Sequence, residues 1–234
     1  MTARDLSEAR WADVPLALAE LHRGLPVGAV LRVRFPIPDG VAPSLGSLVD
    51  GAGFSVLASP GDEPLQDLER LRTLPDVVGP GMRALICGLN PSLLSAERGF
   101  GYAGATNRFW NAALSSGLVR VARRPVEALR LDRVGMSDVV KRPTARSHQL
   151  DSGEYGAGMI RLEQLVAWLE PAAVVFVGLE GWRAARDRKA VPGWQGTGVG
   201  GRPAYVMPST SGANARTSLP TLVTHLQSAL AGPG

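Results

Sequence analysis

The seven residues Ala172 to Gly178, AAVVFVG, constrain this chain more than any other stretch. They are apolar and rich in β-branched side chains, and polar positions do not alternate with apolar ones, which is the pattern of a strand covered on both faces. Such a strand needs helices above and below its sheet, and the neighbouring sequence supplies them. Upstream, Leu162, Leu165, Val166 and Leu169 recur at the i, i+3, i+4, i+7 spacing of one helical face, and Pro171 ends that helix. Downstream, a helix is expected around Gly181 to Arg188, a strand at Pro203 to Met207, and a last helix with Leu219, Leu222, Val223 and Leu226 on one side. Earlier, Arg83 to Leu89 reads as a short apolar strand and Asn107 to Leu118 as a helix burying Trp110, Ala113, Leu114 and Gly117. Strands alternating with helices predict a layered α/β domain with a mainly parallel sheet over residues 81–234.

Residues 1–80 are set apart by the linker LRTLPDVVGPGM, in which Pro75, Gly79, Pro80 and Gly81 punctuate the chain. Within them, Val14 to His22 reads as a helix and Ala29 to Phe35 as a strand, followed by the Pro/Gly-rich stretch Pro36 to Pro43. A short helix at Leu45 to Asp50 and a strand at Gly53 to Leu57 complete a small accessory α/β subdomain. The runs ALAELHRGLPVGAVLRVRF and LVDGAGFSVL resemble the later part of a nucleotide-type methyltransferase fold. The glycine-rich loop that would cradle a methyl donor is missing, so the expectation is a remnant that packs against the rest.

Composition narrows the function classes. With 45% hydrophobic and 20% charged residues the chain is of the globular kind. No segment approaches the roughly 18 to 20 apolar residues of a membrane span, and MTARDLSEARW lacks the apolar core of a secretory signal, so a cytoplasmic protein is expected. The single cysteine, Cys87, follows an apolar run and is expected to be a buried core thiol. It cannot form an internal disulfide or supply the thiolates of an iron–sulfur cluster, and with only His22, His148 and His225 beside it no metal or other cofactor is expected. His148 is expected at the surface. Residues 1–80 hold 7 Lys/Arg against 11 Asp/Glu and the remainder 18 against 10, so the net +4 conceals an acidic first part and a basic second one. A basic second part suits a polyanionic partner, although an Arg-rich surface without such a partner explains it equally.

In parallel α/β sheets function gathers in loops beyond the carboxyl ends of the strands. Two such loops stand out: Gly88 to Trp110, GLNPSLLSAERGFGYAGATNRFW, and Met207 to Arg216, MPSTSGANAR. Both are dense in small and polar residues, and the first carries Phe100 and Tyr102, which suggests a pocket where a flat ligand stacks. Phe109 and Trp110 lie on the following helix and are expected in the core, whereas Tyr102, between Gly101 and Ala103, is less easily explained by packing. STSG at Ser209 to Gly212 lacks the glycine-flanked nucleophile elbow of serine hydrolases.

Taken together, GLNPS, Tyr102, NRFW at Asn107 to Trp110, GMSDVVKRPT at Gly135 to Thr144 and MPSTSGANA resemble the mismatch-specific uracil/thymine-DNA glycosylases, family 2 of the uracil-DNA glycosylase superfamily. That family pairs GINPG, an aromatic and NRFW or NHFW with a later loop such as NPSGLSR or MPSSSARCA. The resemblance spans about Arg83 to Gln227. It implies a three-layer α/β/α catalytic domain and a monofunctional hydrolase of N-glycosyl bonds, monomeric and without cofactors. Such an enzyme flips uracil, or thymine and other damaged pyrimidines, out of mispairs with guanine and leaves an abasic site for base excision repair.

The same resemblance implies the site residues. Asn90 matches the asparagine that holds the attacking water. Asp138 stands where other members carry lysine; it either accepts the proton of that water or stabilises positive sugar charge, or else is a structural cap or a partner of Lys141 or Arg142. Tyr102 matches the aromatic that stacks on the extruded base, main-chain groups of Leu89 and Tyr102 would read its edge, and Ser92 stands where glycine is usual beside the base C5 position. In the second loop Ser209, Ser211 and Gly212 are candidates for the DNA backbone, together with Lys141, Arg142 and Arg146 for phosphate charge. Ala213 replaces the bulky wedge that fills the vacated stack, so either Asn214 or Arg216 takes that part, or single-stranded DNA is used as well as duplex. A lesion-recognising DNA-binding module with little excision activity is the competing expectation.

Overall fold

The computed structural model describes residues 2–37, 42–57 and 65–233, so part of the Pro/Gly-rich stretch Pro36 to Pro43 lies outside the described residues. The N-terminal elements are β1 (Thr2–Asp5), α1 (Val14–Gly24), β2 (Val30–Arg34), α2 (Leu45–Gly51), β3 (Phe54–Val56) and β4 (Leu65–Arg70). Their strands form one sheet in the order β1-β2-β4-β3, parallel between β1 and β2 and antiparallel elsewhere. The polar strands β1 and β4, TARD and LQDLER, carry no apolar alternation by which sequence would reveal them. Pairing with β2 makes them strands, and Arg32 spans to Asp67 across that pair with two hydrogen bonds of 2.6 Å.

The second sheet contains β5 (Ala84–Gly88), β6 (Val134–Asp138), β7 (Val174–Val177), β8 (Gly193–Trp194) and β9 (Ala204–Met207). Its order is β6-β5-β7-β9-β8, with parallel pairing except between β8 and β9. Helices α3 (Leu93–Arg98), α4 (Phe109–Ser115), α5 (Pro125–Asp132), α6 (Ser152–Leu169), α7 (Leu179–Ala185) and α8 (Leu219–Ala231) connect and cover it. Because side chains alternate along a strand, each central strand feeds two cores. Leu85, Cys87, Val174, Phe176 and Val206 join Leu162, Leu165 and Trp182 of α6 and α7 on one face. Ala84, Ile86, Val175, Tyr205 and Met207 join Phe109, Trp110, Leu222 and Leu226 of α4 and α8 on the other. The result is a three-layer α/β/α arrangement. The first core continues without a break into Leu18, Leu31, Val33, Leu48, Phe54 and Leu68 of the N-terminal elements.

Two features differ from expectation. Helix α4 is two turns long and buries Phe109, Trp110, Ala112 and Ala113, whereas Leu114 and Gly117 are exposed. Strand β6 and helices α3 and α5 arise in stretches the apolar pattern leaves blank. In β6, VGMSD is buried through Ser137 although two of its five residues are polar, because it pairs with β5 along its whole length. Among the described residues no helix is long and apolar enough to cross a membrane.

Candidate active site

Four parallel strands, β5, β6, β7 and β9, point their carboxyl ends at one cleft of about 720 Å³. Its walls include Gly88 to Ser92, Tyr102, Thr106, Asp138, Gly178 to Gly181 and Ser209 to Asn214, together with Leu74 from the N-terminal side. The loops after β5 and β9 touch directly: a Cβ on Gly212 would stand 2.3 Å from Thr106 Oγ1, so only glycine permits this approach.

The loop after β5 is zipped to the loop after β6. Gly88, Leu89 and Pro91 carbonyls accept from the main-chain N–H groups of Val139, Val140 and Thr144 at 3.0, 2.9 and 3.1 Å. Between them, the Asn90 amide nitrogen donates to the Arg142 carbonyl at 2.9 Å and to Thr144 Oγ1 at 2.8 Å. A carbonyl can only accept, so the NH2 end of the amide must face Arg142 and Oδ1 is left to the opposite side. No described residue donates to that oxygen. Arg142 is held in turn by Glu154, at 2.6 and 2.8 Å, and by the Gln149 carbonyl. Glu154 also closes the capping box that starts α6, exchanging hydrogen bonds with Asp151. The Arg142 guanidinium and the Asp151 N–H bring the Glu154 carboxyl down to about 2.

Asp138 ends β6, half-buried, and its carboxylate has no hydrogen-bonding or ion-pair partner among the described residues. It lies over Gly88, where a Cβ would meet Asp138 Oδ1 at 2.2 Å and the Tyr102 hydroxyl at 3.3 Å. Burial raises its pKa to about 6; Lys141 and Arg161 pull it down and Asp76 pushes it up. Neither cation expected as a partner of Asp138 pairs with it, because Lys141 pairs with Asp76 at 2.8 Å and Arg142 with Glu154. Tyr102 adopts the left-handed region, φ 58°, rare for a non-glycine residue. The turn that holds it there is fixed by Trp110 Nε1 donating to Gly101 O at 2.9 Å and by Ala103 N–H donating to Ser95 Oγ at 3.3 Å. One face of the ring stacks on Phe109 at 4.1 Å, and burial, with Asp138 nearby, raises the phenol pKa.

Several expected residues have other duties. Lys141, expected at phosphate, is turned inward: its side chain is 8% exposed and bound to Asp76. Arg142 is half-exposed with its guanidinium committed to Glu154 and Gln149. Ser92 caps α3, its hydroxyl accepting from Ser95 N–H at 3.1 Å, so it lines the cleft without a free hydroxyl. Leu89 packs its side chain against α7 at Gly181 and gives its carbonyl to Val140. In the second loop the Ser209 and Ser211 hydroxyls accept from Ser211 and Ala213 N–H at 3.3 Å each. Asn214 turns inward, donating to Ser209 O at 2.8 Å and Thr217 Oγ1 at 3.0 Å, whereas Ala213 and Arg216 are exposed.

Sequence reasoning missed Arg108. From the NRFW segment its guanidinium donates to the carbonyls of Ser211, Asn214 and Thr217, and its N–H to Thr210 O at 2.9 Å, so one side chain sets the shape of the second loop. Thr144 and Glu154, which fix Asn90 and Arg142, and Leu74 on the cleft wall were also unassigned. An arginine beside an asparagine in a loop-closing motif is the only signal that sequence offered.

A model of the uracil DNA glycosylase superfamily matches residues 75–231. Among solved structures, the chain is similar to the solution NMR structure of a protein from Methanosarcina acetivorans described as a "putative Uracil DNA glycosylase". The two are 21% identical, the match covers 66% of this chain and 98% of the other, and the TM-score is 0.44. With the family match extending over more than half of its length, the chain belongs to the uracil DNA glycosylase superfamily.

Proposed function

We propose that this DNA glycosylase is a monofunctional enzyme of the mismatch-specific uracil/thymine type, hydrolysing the bond between a flipped pyrimidine and its deoxyribose. The observation that carries the reading is the pair of side chains in one cleft: Asn90, whose amide nitrogen is fully occupied, and Asp138, whose carboxylate is not. The bond from C1′ to the base nitrogen breaks with its electrons leaving on the base. Sugar C1′ becomes cation-like, and water adds there. Asn90 Oδ1 accepts one hydrogen of that water and orients it, while Asp138, ionised above pH 6, takes the proton as the new C–O bond forms. The Tyr102 ring, on its side away from Phe109, receives the base, a contact generally worth about 1 to 3 kcal/mol.

The second loop enters the duplex. With Asn214 bound inward and Ala213 only a methyl group, Arg216 is the side chain long enough to fill the vacated stack. Phosphates are met by main-chain groups around Ser209 to Gly212 rather than by Lys141.

Incubation with duplexes carrying uracil or thymine opposite guanine, followed by alkaline cleavage of abasic sites, tests the reading. The wild type should give abasic product, and Asn90→Ala and Asp138→Ala should each lose at least about 100-fold in single-turnover rate. Tight binding with no abasic product would make the protein a lesion-recognising module, and an unimpaired Asp138→Ala would remove the carboxylate from the mechanism.

A further inference from the structure

Behind the cleft, away from solvent, lies a group of charges that base excision as described does not use. The Asp76 side chain is 4% exposed and accepts from Ser137 Oγ at 2.7 Å, from Lys141 Nζ at 2.8 Å and from the Arg161 guanidinium. Lys141 and Arg161 are themselves 8% and 9% exposed. Arg161 reaches from the middle of α6 and donates to the main-chain oxygen of Asp138 at 2.7 Å. The Thr73 hydroxyl donates to the Lys141 carbonyl, and Asp76 N–H donates to Gly51 O at 2.7 Å. The segment Thr73 to Asp76 therefore ties the N-terminal elements to the stretch Ser137 to Lys141 that carries Asp138.

Stability does not explain this arrangement. Buried ion pairs are commonly no better than well-packed apolar side chains, because desolvation cancels most of the attraction. The charge count is also unequal, with two buried cations facing one buried anion. Asp50, the other anion near Arg161 at 3.8 Å, is 58% exposed. One positive charge is thus left over beside Asp138, which has no counterion of its own.

We propose that Asp76, Lys141 and Arg161 form a positioning device for Asp138, fixing the end of β6 and supplying from behind the counter-charge that keeps this carboxylate ionised at neutral pH. The inference rests on the reading of Asp138 as proton acceptor. The charged and titratable groups facing it are Lys141, Asp76 and Arg161 behind, and the Tyr102 phenol and Cys87 thiol beside it. Lys141 and Arg161 lower the proton affinity of Asp138, and Asp76 together with burial raises it. The N-terminal elements are then part of the active site, acting through Asp76.

The test uses the full chain labelled with 13C at aspartate carboxyls, the Asp138 resonance being identified by its loss in Asp138→Asn. Its titration midpoint is followed beside the pH profile of single-turnover uracil excision. Lys141→Met should raise the midpoint and the acid limb of excision together, by about one pH unit, and Lys141→Arg should return both close to the wild type. Asp50→Asn leaves the core intact and should lower both by roughly 0.2 to 0.5 pH unit, which keeps the test decisive if Lys141→Met fails to fold. If the resonance and the limb coincide in the wild type but move in none of the folded variants, the cluster has no such role and the proposal falls alone. If the resonance moves while excision does not follow, Asp138 is not the proton acceptor, and both readings fall.

Discussion

Replacing Gly212 by alanine drives apart the two loops that form the cleft. The new Cβ would lie 2.3 Å from Thr106 Oγ1, 2.5 Å from Thr106 Cβ and 3.2 Å from the Thr106 carbonyl oxygen. Non-bonded carbon contacts settle at about 3.5 to 4.0 Å, so the loops must separate by about 1 Å. Gly212 does not need a positive φ, so the alanine backbone itself is unstrained and the effect is purely one of contact. Overpacking costs about 1 to 3 kcal/mol in a core; at this exposed position the lower end applies, and the melting temperature should fall by only a few degrees. Activity is far more sensitive, because a displacement of about 1 Å at a catalytic constellation costs about 100-fold. Single-turnover excision of uracil from a U·G duplex should fall by that factor. Thr106→Gly in the same chain removes the two closest contacts and leaves only the carbonyl at 3.2 Å, so the double variant should recover at least about tenfold, a coupling that a double-mutant cycle isolates. An alanine variant within about threefold of the wild type, or a double variant no better than the single one, would show that contact between the loops does not set the rate.

Four further outcomes follow from the same geometry. Asp138 binds its proton more tightly than an ordinary aspartate, with a pKa of about 6, so the single-turnover rate should rise with pH through 6 and level off above it. The sign for stability is the reverse: ionisation burdens the folded state at neutral pH and the burden lifts as pH falls through 6 towards 4, so Asp138→Asn should stabilise by about 1 to 2 kcal/mol at pH 7.5 and by almost nothing at pH 4, as read from denaturant melts. Arg108→Ala removes three carbonyl ties on the second loop; duplex affinity should drop about tenfold, with stability lower by about 1 to 3 kcal/mol and faster proteolysis between Ser209 and Thr217. Arg216→Ala should slow uracil excision from duplex by about tenfold and leave single-stranded substrate nearly unchanged, since only the duplex charges for unstacking; equal losses on both would exclude a wedge role.

How much the amino-acid sequence discloses varies with how local the determining forces are. Strands β5, β7 and β9 are visible because burial on both faces leaves a continuous apolar run, and α6 is visible from its apolar spacing and from Pro171 beyond its end. β6 is hidden: it ends in Ser137 and Asp138, and its strand state comes from pairing with β5, about 50 residues earlier. The burial of Lys141 is hidden for the same reason, since its partner Asp76 lies 65 residues away and nothing near Lys141 marks it as buried. Asn90, Tyr102 and Asp138 stand out in the sequence because loop chemistry is written in short motifs. Arg108 stands in one of those motifs too, but its role depends on carbonyls more than 100 residues away.

The orientation of the Asn90 amide is inherited from the start of helix α6. The first turn of α6 leaves N–H groups without helical partners, and Asp151 and Glu154 satisfy two of them reciprocally. That reciprocal bonding fixes Glu154, which fixes Arg142 by two parallel hydrogen bonds, and the Arg142 carbonyl is one of the two main anchors of the Asn90 amide. Ordering the amide is therefore an expense met when the chain folds, not when DNA arrives. A freely rotating asparagine would present Oδ1 and Nδ2 to the water about equally often, and only the oxygen can accept its hydrogen. An amide is too weak a base to compensate for poor placement by taking the proton itself, so the proposed chemistry divides: Asn90 would supply direction through a rigid chain of neighbours, and Asp138, left without a partner among the described residues at the end of β6, would supply the place for the proton.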